Sequence, residues 1–218
     1  MNVIVTCGPA YEPIDQARRL SNFSTGRLGA TLTQALADAG HAVWCLKGEG
    51  ATHPGPEGAH VLERFGTNDD LAARLEALGA RATFGAVFHA AALCDYRVEQ
   101  VLGEAGQPVQ SPKFATGEGR LTLVLAPARK VLPNLRAWFP QARIVGWKYE
   151  LAGPRAAAAA LAWRQIRDCH TDACVLNGAA YGDGFGFCTL PDGLEPLPDL
   201  AALCAHLVAW LGCAAPPS

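Results

Sequence analysis

The sequence has no uninterrupted apolar run of the roughly 20 residues that a membrane-spanning helix needs, and no charged start leading into a long apolar segment. It also has no long run of charge of one sign, and its formal net charge is −2 over 218 residues. These absences argue against a membrane partner, a secretory signal and a nucleic-acid-binding surface. We therefore expect a cytoplasmic protein that meets any anionic small molecule with locally placed groups.

Paired cysteines are absent as well. The eight cysteines are spaced singly and form neither a CxxC motif nor a cluster with histidine. A structural zinc site needs such clusters, so we assign no metal-ligating residue. Most of the eight lie inside apolar strand or helix patterns, which favours buried, reduced thiols over a disulfide framework.

The usual nucleotide-binding fingerprints are also missing. The segment CGPA at 7–10 breaks the GxGxxG spacing after the first strand, and the second strand ends in LKG at 46–48, without the acidic residue that would bind a ribose. No Walker-type loop, GxxxxGK followed by Ser or Thr, occurs either. Because a Tyr-x-x-x-Lys pair is lacking too, an NAD(P)-linked reductase is a disfavoured alternative.

What the sequence does contain is a regular alternation of apolar strand patterns and amphipathic helix patterns. The alternation predicts an α/β fold, with a doubly wound, mostly parallel Rossmann-like sheet and helices on both faces. Its ligand crevice should lie at the carboxyl ends of the strands. The predicted strands are 2–6, 42–46, 60–65, 84–90, 121–125, 143–149 and 173–177, with an edge hairpin after a turn at 182–187. The predicted helices begin near Arg27 and after a capping-box variant at 67–70, and continue at 131–138, 154–168 and 200–211.

Two stretches break this alternation. The connection 7–29 is far longer than the ~2 to 6 residues usual for a strand-to-helix turn, which favours a functional loop. Residues 98–119 lose periodicity and gather Gly, Pro, Gln and Ser around a single lysine. We interpret 98–119 as a flap or dimerisation arm of one domain spanning 1–218, not as a linker.

The motifs taken together resemble the phosphopantothenoylcysteine synthetase family, the second half of many bacterial coenzyme A bifunctional proteins. They are TCGPAYEPID, RRLSNFSTGRLG, HAAALCDYR, the flap lysine, VGWKYEL and DACVLNG. The combination of N-x-S-[ST]-G-x-x-G in the long first loop with AAxxDY at a later strand end is specific. The resemblance covers nearly the full chain.

The resemblance implies a ligase that joins the carboxylate of 4′-phosphopantothenate to the amine of cysteine. The acid would first be converted to an acyl-nucleotidyl anhydride by a nucleoside triphosphate with Mg²⁺, with CTP favoured over ATP. The family is dimeric, so a homodimer is expected, in which the arm would reach into the partner's site.

The resemblance also assigns site residues. Asn22 would hold the acyl-nucleotide intermediate, and Lys113 would swing in on the flap as the second catalytic residue. On the substrate side, Ala91 and Ala92 would allow backbone contact, and Asp95 would bind ligand hydroxyls or the water shell of the metal. The nucleotide-binding residues would be Gly8, Ser24, Gly26, Gly29, Trp147, Arg164, Arg167 and Asn177.

Several of these residues have plainer interpretations that stay open at this point. Asn22 could organise its own loop by side-chain-to-backbone bonds, and Ser24 could cap the following helix. Trp147 could be a core residue, and Asn177 could cap a turn.

The sequence also departs from the family pattern. Gly8-Pro9-Ala10 replaces Gly-Gly-Thr, and Arg164 and Arg167 stand where the family presents two lysines to the triphosphate. Arg129 and Lys130 likewise replace a second lysine-containing segment. A relative that binds a nucleotide or phosphorylated ligand without ligation is therefore the second hypothesis.

Overall fold

The computed structural model describes residues 1–115, 117 and 119–212. Its strands are β1 (Asn2–Cys7), β2 (Tyr11–Pro13), β3 (Arg19–Ser21), β4 (Ala42–Gly48), β5 (Val61–Phe65), β6 (Ala86–His89), β7 (Tyr96–Leu102), β8 (Thr122–Pro127), β9 (Arg143–Tyr149), β10 (Ala173–Asn177), β11 (Phe185–Thr189) and β12 (Gly193–Leu197). Its helices are α1 (Arg27–Asp38), α2 (Asn68–Arg81), a 3₁₀ turn (Leu132–Asn134), α3 (Leu135–Trp138), α4 (Arg155–Cys169) and α5 (Leu200–Gly212). None of the helices in the described residues is long and apolar enough to cross a membrane.

Eight strands form one sheet in the order β12-β11-β10-β9-β6-β1-β4-β5. In this sheet the six neighbouring strands β5, β4, β1, β6, β9 and β10 run parallel to one another, and β11 and β12 add an antiparallel edge. The chain moves outward from β1 to β4 and β5 and then returns to β6 on the other side of β1. This reversal creates a topological switch point between β1 and β6, where doubly wound sheets bind ligands. The predicted fold class is confirmed.

The central strand β1 is buried on both faces, which explains its continuous apolar sequence. Val3 and Val5 point to the face covered by α1 and α5, where Leu32 and Leu36 of α1 are fully buried. Burying a leucine of this kind stabilises the fold by about 1.5 to 3 kcal/mol. Ile4 points to the opposite face, which α2 and α3 cover. Helix α4 packs on the same side of the sheet farther along, against β10.

The seven cysteines among the described residues are free, and all but Cys169 are buried. This agrees with the prediction of reduced thiols. Cys213 lies outside the described residues.

Two segments predicted to be loops contain strands. The connection 7–29 holds the hairpin formed by β2 and β3. The prediction of an aperiodic flap is wrong for residues 98–102, because they belong to β7, which pairs antiparallel with β8. This ribbon is separate from the main sheet, and its exposed Tyr96 and Leu125 show why no buried-face alternation marks it. Within the arm, residues 116 and 118 lie outside the described residues.

The arm docks on the β2–β3 hairpin through the carboxylate of Asp15, whose side chain is shielded from solvent. The carboxylate accepts bonds from the amides of Ala17 at 2.8 Å, Arg18 at 2.7 Å and Phe114 at 3.3 Å. The Arg18 guanidinium pairs with it at 2.9 Å and donates to the Phe114 carbonyl at 2.5 Å. Burial alone would raise the pKa of Asp15, but the backbone amides and the Arg18 charge lower it below its ordinary value.

We expect Asp15→Asn to release the arm, because an amide lacks the charge that Arg18 pairs with. Since the folded-state pKa is lowered, the wild-type contact is present above the ordinary pKa of about 3.9 and is lost as the pH falls through the folded value. Trypsin cleavage after Lys113 at neutral pH should be faster in Asp15→Asn than in wild type. The exposed Asp192→Asn should behave as wild type, and equal cleavage rates for all three would contradict this account.

Candidate functional site

The ends of β1 and β6 are joined beyond the regular sheet. The amide of Ala90 donates to the Thr6 carbonyl at 3.1 Å and the amide of Ala92 to the Gly8 carbonyl at 2.9 Å. The amide of Ala10 donates back to the Ala92 carbonyl at 3.0 Å. Because side chains alternate along this extension, Ala90 lines a pocket on one face of the sheet and Ala91 lines a pocket on the other. The backbone of Ala92 is used in the join.

The first pocket, here called the glycine pocket, lies on the side of α1 and α5 and has a volume of about 480 Å³. It contains four of the predicted nucleotide-binding residues, and apolar side chains complete the opposite wall. Its main lining residues are Gly8, Ser24, Gly26, Gly29, Phe23, Phe185 and Leu200.

Close backbone packing explains the glycines of this pocket. Gly8 and Gly26 both have φ of 78°, and a Cβ on Gly26 would stand 3.0 Å from the Cβ of Ala51 and 3.4 Å from the Cα of Gly8. A Cβ on Gly29 would stand 2.2 Å from the Cβ of Cys7. The sheet and α1 could not approach so closely with larger residues.

The N-terminus of α1 opens into the glycine pocket. Its N-cap is Gly26, which has no side chain to cap the helix, and the Arg27 amide donates to the Thr25 hydroxyl at 3.3 Å. The next first-turn amides, of Leu28 and Gly29, are left available to an anion. The interpretation of Ser24 as the helix cap is therefore wrong. Ser24 instead bonds through its amide to the Asn22 carbonyl at 3.0 Å.

A folded loop occupies the space above the end of β4. The buried Lys47 ammonium donates to the carbonyls of His53 and Gly55, the latter at 2.7 Å. The amide of His53 then donates to the Thr25 carbonyl at 2.9 Å. A conventional dinucleotide fold binds a ribose near this strand end with an acidic residue. Here the loop packs against Gly8 and Gly26 through Ala51, which accounts for the missing acid.

The second pocket, here called the β6–β9 pocket, lies on the other face of the sheet and has a volume of about 370 Å³. Its rim carries three ion pairs: Lys130 with Asp95, Lys148 with Glu150 at 3.1 Å, and Arg129 with Asp69 at 3.7 Å. The lining residues include His89, Ala91, Leu93, Cys94, Asp95, Arg129, Lys130, Leu132, Trp147, Lys148, Gln165 and Cys169.

One residue that builds this pocket was missed from the sequence. The side-chain amide of Asn68, only 2% exposed, donates to the carbonyls of Cys94 at 2.8 Å and Arg129 at 2.9 Å. Its oxygen accepts from the Cys94 amide at 3.1 Å. The sequence marks 67–70 only as a helix start, and Thr67 does cap α2 by accepting from the Asp70 amide. Nothing local signals the distant partners of Asn68.

Asn22 bonds to one lining residue of each pocket. Its side-chain amide donates to the Leu93 carbonyl at 2.8 Å, and Leu93 lines the β6–β9 pocket. Its carbonyl accepts from Ser24, which lines the glycine pocket. Asn22 therefore organises its loop and bonds to one lining residue of each pocket, although it lines neither pocket itself. Within the described part of the chain, its side-chain oxygen has no partner, so it can accept from a ligand.

Lys113 does not reach either pocket in the single chain. It is exposed on the arm, and its carbonyl accepts from the Ser111 hydroxyl at 2.9 Å. The neighbouring Pro112 carbonyl accepts from the Gln16 amide at 3.0 Å, which holds this segment against the tip of the β2–β3 hairpin.

Arg164 and Arg167 are exposed on α4, and neither lines the glycine pocket or the β6–β9 pocket. Gln165 and Cys169 of the same helix line the β6–β9 pocket instead. Gln165 lies close to β9, where a Cβ on Gly146 would stand 2.7 Å from its Nε2. The cations that the structure brings to the pocket are therefore those of the β8–α3 connection and β9, not those of α4.

The last two predicted nucleotide-binding residues lie at neighbouring strand ends. Trp147 is half-buried, borders the β6–β9 pocket and packs against the core cluster on the α1 and α5 face. Its indole Nε1 is buried with no hydrogen-bond partner among the described residues. Asn177 ends β10, its carbonyl accepts from the Glu150 amide at 2.9 Å, and it borders neither pocket.

Comparison with known proteins gives a family for this architecture. Residues 1–189 match the family described as the DNA/pantothenate metabolism flavoprotein C-terminal domain. Because the match covers most of the chain, the chain belongs to this family. The resemblance to the phosphopantothenoylcysteine synthetase family predicted from the motifs is confirmed.

A curated relative agrees with this assignment, and solved structures share the fold. The coenzyme A biosynthesis bifunctional protein CoaBC of Mycobacterium bovis is 28% identical over 205 residues, which cover 88% of this chain and 47% of that protein. The chain thus spans less than half of that relative's length. The crystal structure of the DNA/pantothenate metabolism flavoprotein from Streptococcus pneumoniae superposes with a TM-score of 0.84 at 19% identity, covering 97% of this chain and 98% of that one. A complex of the Cab2 mutant H337A with phosphopantothenate-cysteine gives a TM-score of 0.69 at 17% identity, covering 97% and 89%.

We expect Gly26→Ala to weaken nucleotide binding, because its new Cβ would push the 49–55 loop away from Gly8. Gly40→Ala is the matched control, since Gly40 has φ of 82° but a Cβ there meets nothing within 4 Å. Both variants should lose about 1 to 2 kcal/mol of folding stability from the left-handed backbone. Only Gly26→Ala should also weaken CTP or ATP binding measured by titration calorimetry. Equal nucleotide affinity in both variants would contradict the prediction that the glycine pocket binds the nucleotide.

Proposed function

We propose that the chain is the ligase domain that joins 4′-phosphopantothenate to cysteine in coenzyme A biosynthesis. The observation that carries this proposal is the position of Asn22, whose side-chain amide bonds to Leu93 of the β6–β9 pocket and whose carbonyl bonds to Ser24 of the glycine pocket. A reaction that passes through an acyl-nucleotide needs two adjoining subsites with a polar group at their junction. The family match and the relatives named above support the same activity.

The chemistry requires activation because a carboxylate does not react with an amine at a useful rate. In the first step, the pantothenate carboxylate attacks the α-phosphorus of the nucleotide, and pyrophosphate leaves. In the second step, the cysteine amine attacks the acyl carbon, and the nucleoside monophosphate leaves. The protein's task is mainly to align the reacting groups and to neutralise charge.

The described residues are suited to that task. The first-turn amides of Leu28 and Gly29 in α1 would bind phosphate oxygens, since Gly26 provides no side-chain cap for them. Arg129, Lys130 and Lys148 would supply the cationic charge predicted for Arg164 and Arg167. Asn22 would hold the acyl phosphate at the junction, and Ala91 would allow close approach of the substrate.

A magnesium ion would enter with the nucleotide. Among the described residues no cluster of His, Cys, Asp or Glu could hold a metal by itself. Mg²⁺ usually keeps several waters and binds through substrate phosphates and one or two carboxylates. The exposed Asp95 carboxylate at the pocket rim is the candidate protein partner. The ion would offset phosphate charge.

The remaining details are proposals from the family resemblance. We propose CTP rather than ATP as the nucleotide, a cytoplasmic location and a homodimer. In the dimer, Lys113 of the arm would act on the site of the partner, because the arm of the single chain places it outside both pockets.

A second candidate function is binding of a nucleotide or phosphorylated ligand without ligation. The exposure of Arg164 and Arg167 favours it, since the family's two lysines occupy the corresponding region. Ligand-induced thermal stabilisation without product would identify this alternative.

The direct test supplies protein with phosphopantothenate, cysteine, Mg²⁺ and either CTP or ATP. We expect continued pyrophosphate release, beyond one equivalent per site, only when all components are present, because cysteine is needed to clear the acyl-nucleotide formed in the first step. We also expect a loss of about 10²-fold or more in kcat/KM for Asn22→Ala. Asn2→Ala is the control, because Asn2 bonds to the Thr83 carbonyl at the opposite end of the sheet. If the wild type shows no turnover with CTP and none with ATP, the proposed function is refuted.

A further inference from the structure

His89 is a polar residue of the β6–β9 pocket that the proposed chemistry has not used. It ends β6, lines the pocket and is only 6% exposed. Its Nδ1 lies 2.8 Å from the hydroxyl oxygen of Thr6 on the neighbouring strand β1.

The hydrogen bonds around Thr6 determine which ring nitrogen of the neutral His89 imidazole carries the proton. The Thr6 oxygen accepts from the amide of Ala91 at 3.3 Å, and Thr6 is completely buried. Its hydroxyl proton needs an acceptor, and His89 Nδ1 is the acceptor that the described residues place within reach. When Nδ1 accepts, the proton of a neutral imidazole is on Nε2. The ring therefore presents an N–H donor at Nε2.

This donor is open to the pocket. Among the described residues, five side-chain nitrogen or oxygen atoms are both closed off from solvent and without a hydrogen-bond partner. His89 Nε2 is not one of these five, so it is accessible from the pocket that His89 lines. No described residue bonds to it. Burial lowers the pKa of His89 to about 4, so the ring is neutral at physiological pH. The three cations of the pocket, Arg129, Lys130 and Lys148, are each paired with a carboxylate, those of Asp69, Asp95 and Glu150.

We propose that His89 Nε2–H is a substrate-binding donor that selects an uncharged acceptor atom, a carbonyl oxygen or a ring nitrogen, on the ligand of the β6–β9 pocket. The proposal rests on the proposed function, whose substrates offer such an acceptor in two places. One is the nucleobase, and the other is the pantothenoyl chain. A neutral donor discriminates among acceptors where a cation would attract any anion. Thr6 is the positioning residue, because its hydroxyl keeps the proton on the outer nitrogen.

The tautomer can be observed directly by ¹⁵N NMR of the imidazole, since protonated and unprotonated ring nitrogens have distinct shifts. We expect wild type and Thr6→Ser to carry the proton on Nε2, and Thr6→Val to lose this preference. A proton on Nδ1 in the wild type would overturn the proposal.

Two substitutions separate the functions of the two nitrogens. His89→Gln places an amide donor near the position of Nε2, whereas His89→Asn reaches only as far as Nδ1 and keeps the contact with Thr6. We expect His89→Asn to bind one ligand about three- to tenfold more weakly, the loss of one neutral hydrogen bond, and His89→Gln to stay within about twofold of wild type.

The probes are 4′-phosphopantothenate, CTP with Mg²⁺ and ATP with Mg²⁺, each titrated alone by calorimetry. Selective weakening of nucleotide binding in His89→Asn identifies the nucleobase as the acceptor, and selective weakening of phosphopantothenate binding identifies the pantothenoyl chain. Wild-type affinity of His89→Asn for all three probes would overturn the proposal. These titrations measure binding and do not depend on turnover. An inactive wild type would therefore refute the proposed ligase activity, whereas the proposal for His89 would still be decided by the binding affinities.

Discussion

The backbone bonds that join the ends of β1 and β6 are the constraint on which the rest of the site depends. They carry the two strands past the regular sheet, so that successive alanines open to opposite faces. The glycine pocket lies on one face of the sheet, and the β6–β9 pocket lies on the other. Thr6 lies inside the same join and bonds to both Ala91 and His89. A change in the join would therefore alter both pockets at once.

Because the formal net charge of the chain is only −2, an anionic ligand has to be bound by positive groups close to its site. The glycine pocket offers backbone amides at a helix N-terminus, whereas the β6–β9 pocket offers side-chain cations. Lys47 is buried elsewhere and bonds to loop carbonyls, so it shapes the site without facing it. An anionic ligand that spans the two pockets would meet backbone amides in one and cations in the other, and those cations are now paired with Asp69, Asp95 and Glu150.

The fold could be predicted from the sequence because the parallel sheet is buried on both faces and its strands are correspondingly apolar. The glycine loop could be predicted as well, since its spacing reflects close backbone packing of Gly26 and Gly29. The ribbon of β7 and β8 was partly missed because it stands apart from the main sheet and carries exposed apolar residues.

The site was harder to predict where partners are distant in sequence. Asn68 and His89 act through residues 26 and 83 positions away, and no local pattern marks such pairs. The cations that line the β6–β9 pocket were not singled out from the sequence for a related reason. Helix α4 presents Gln165 and Cys169 to the pocket, so its arginines, though suitably spaced on one face, point elsewhere.

The central claim is that one ligand spans both pockets across Asn22. A crystal structure with a hydrolysis-resistant analogue of the phosphopantothenoyl nucleotide tests it most directly. We predict that the phosphate lies at the first turn of α1, that another part of the ligand lies in the β6–β9 pocket, and that the Asn22 amide bonds to the ligand between them. A ligand held wholly in one pocket, with Asn22 bonded only to Leu93, would contradict the claim.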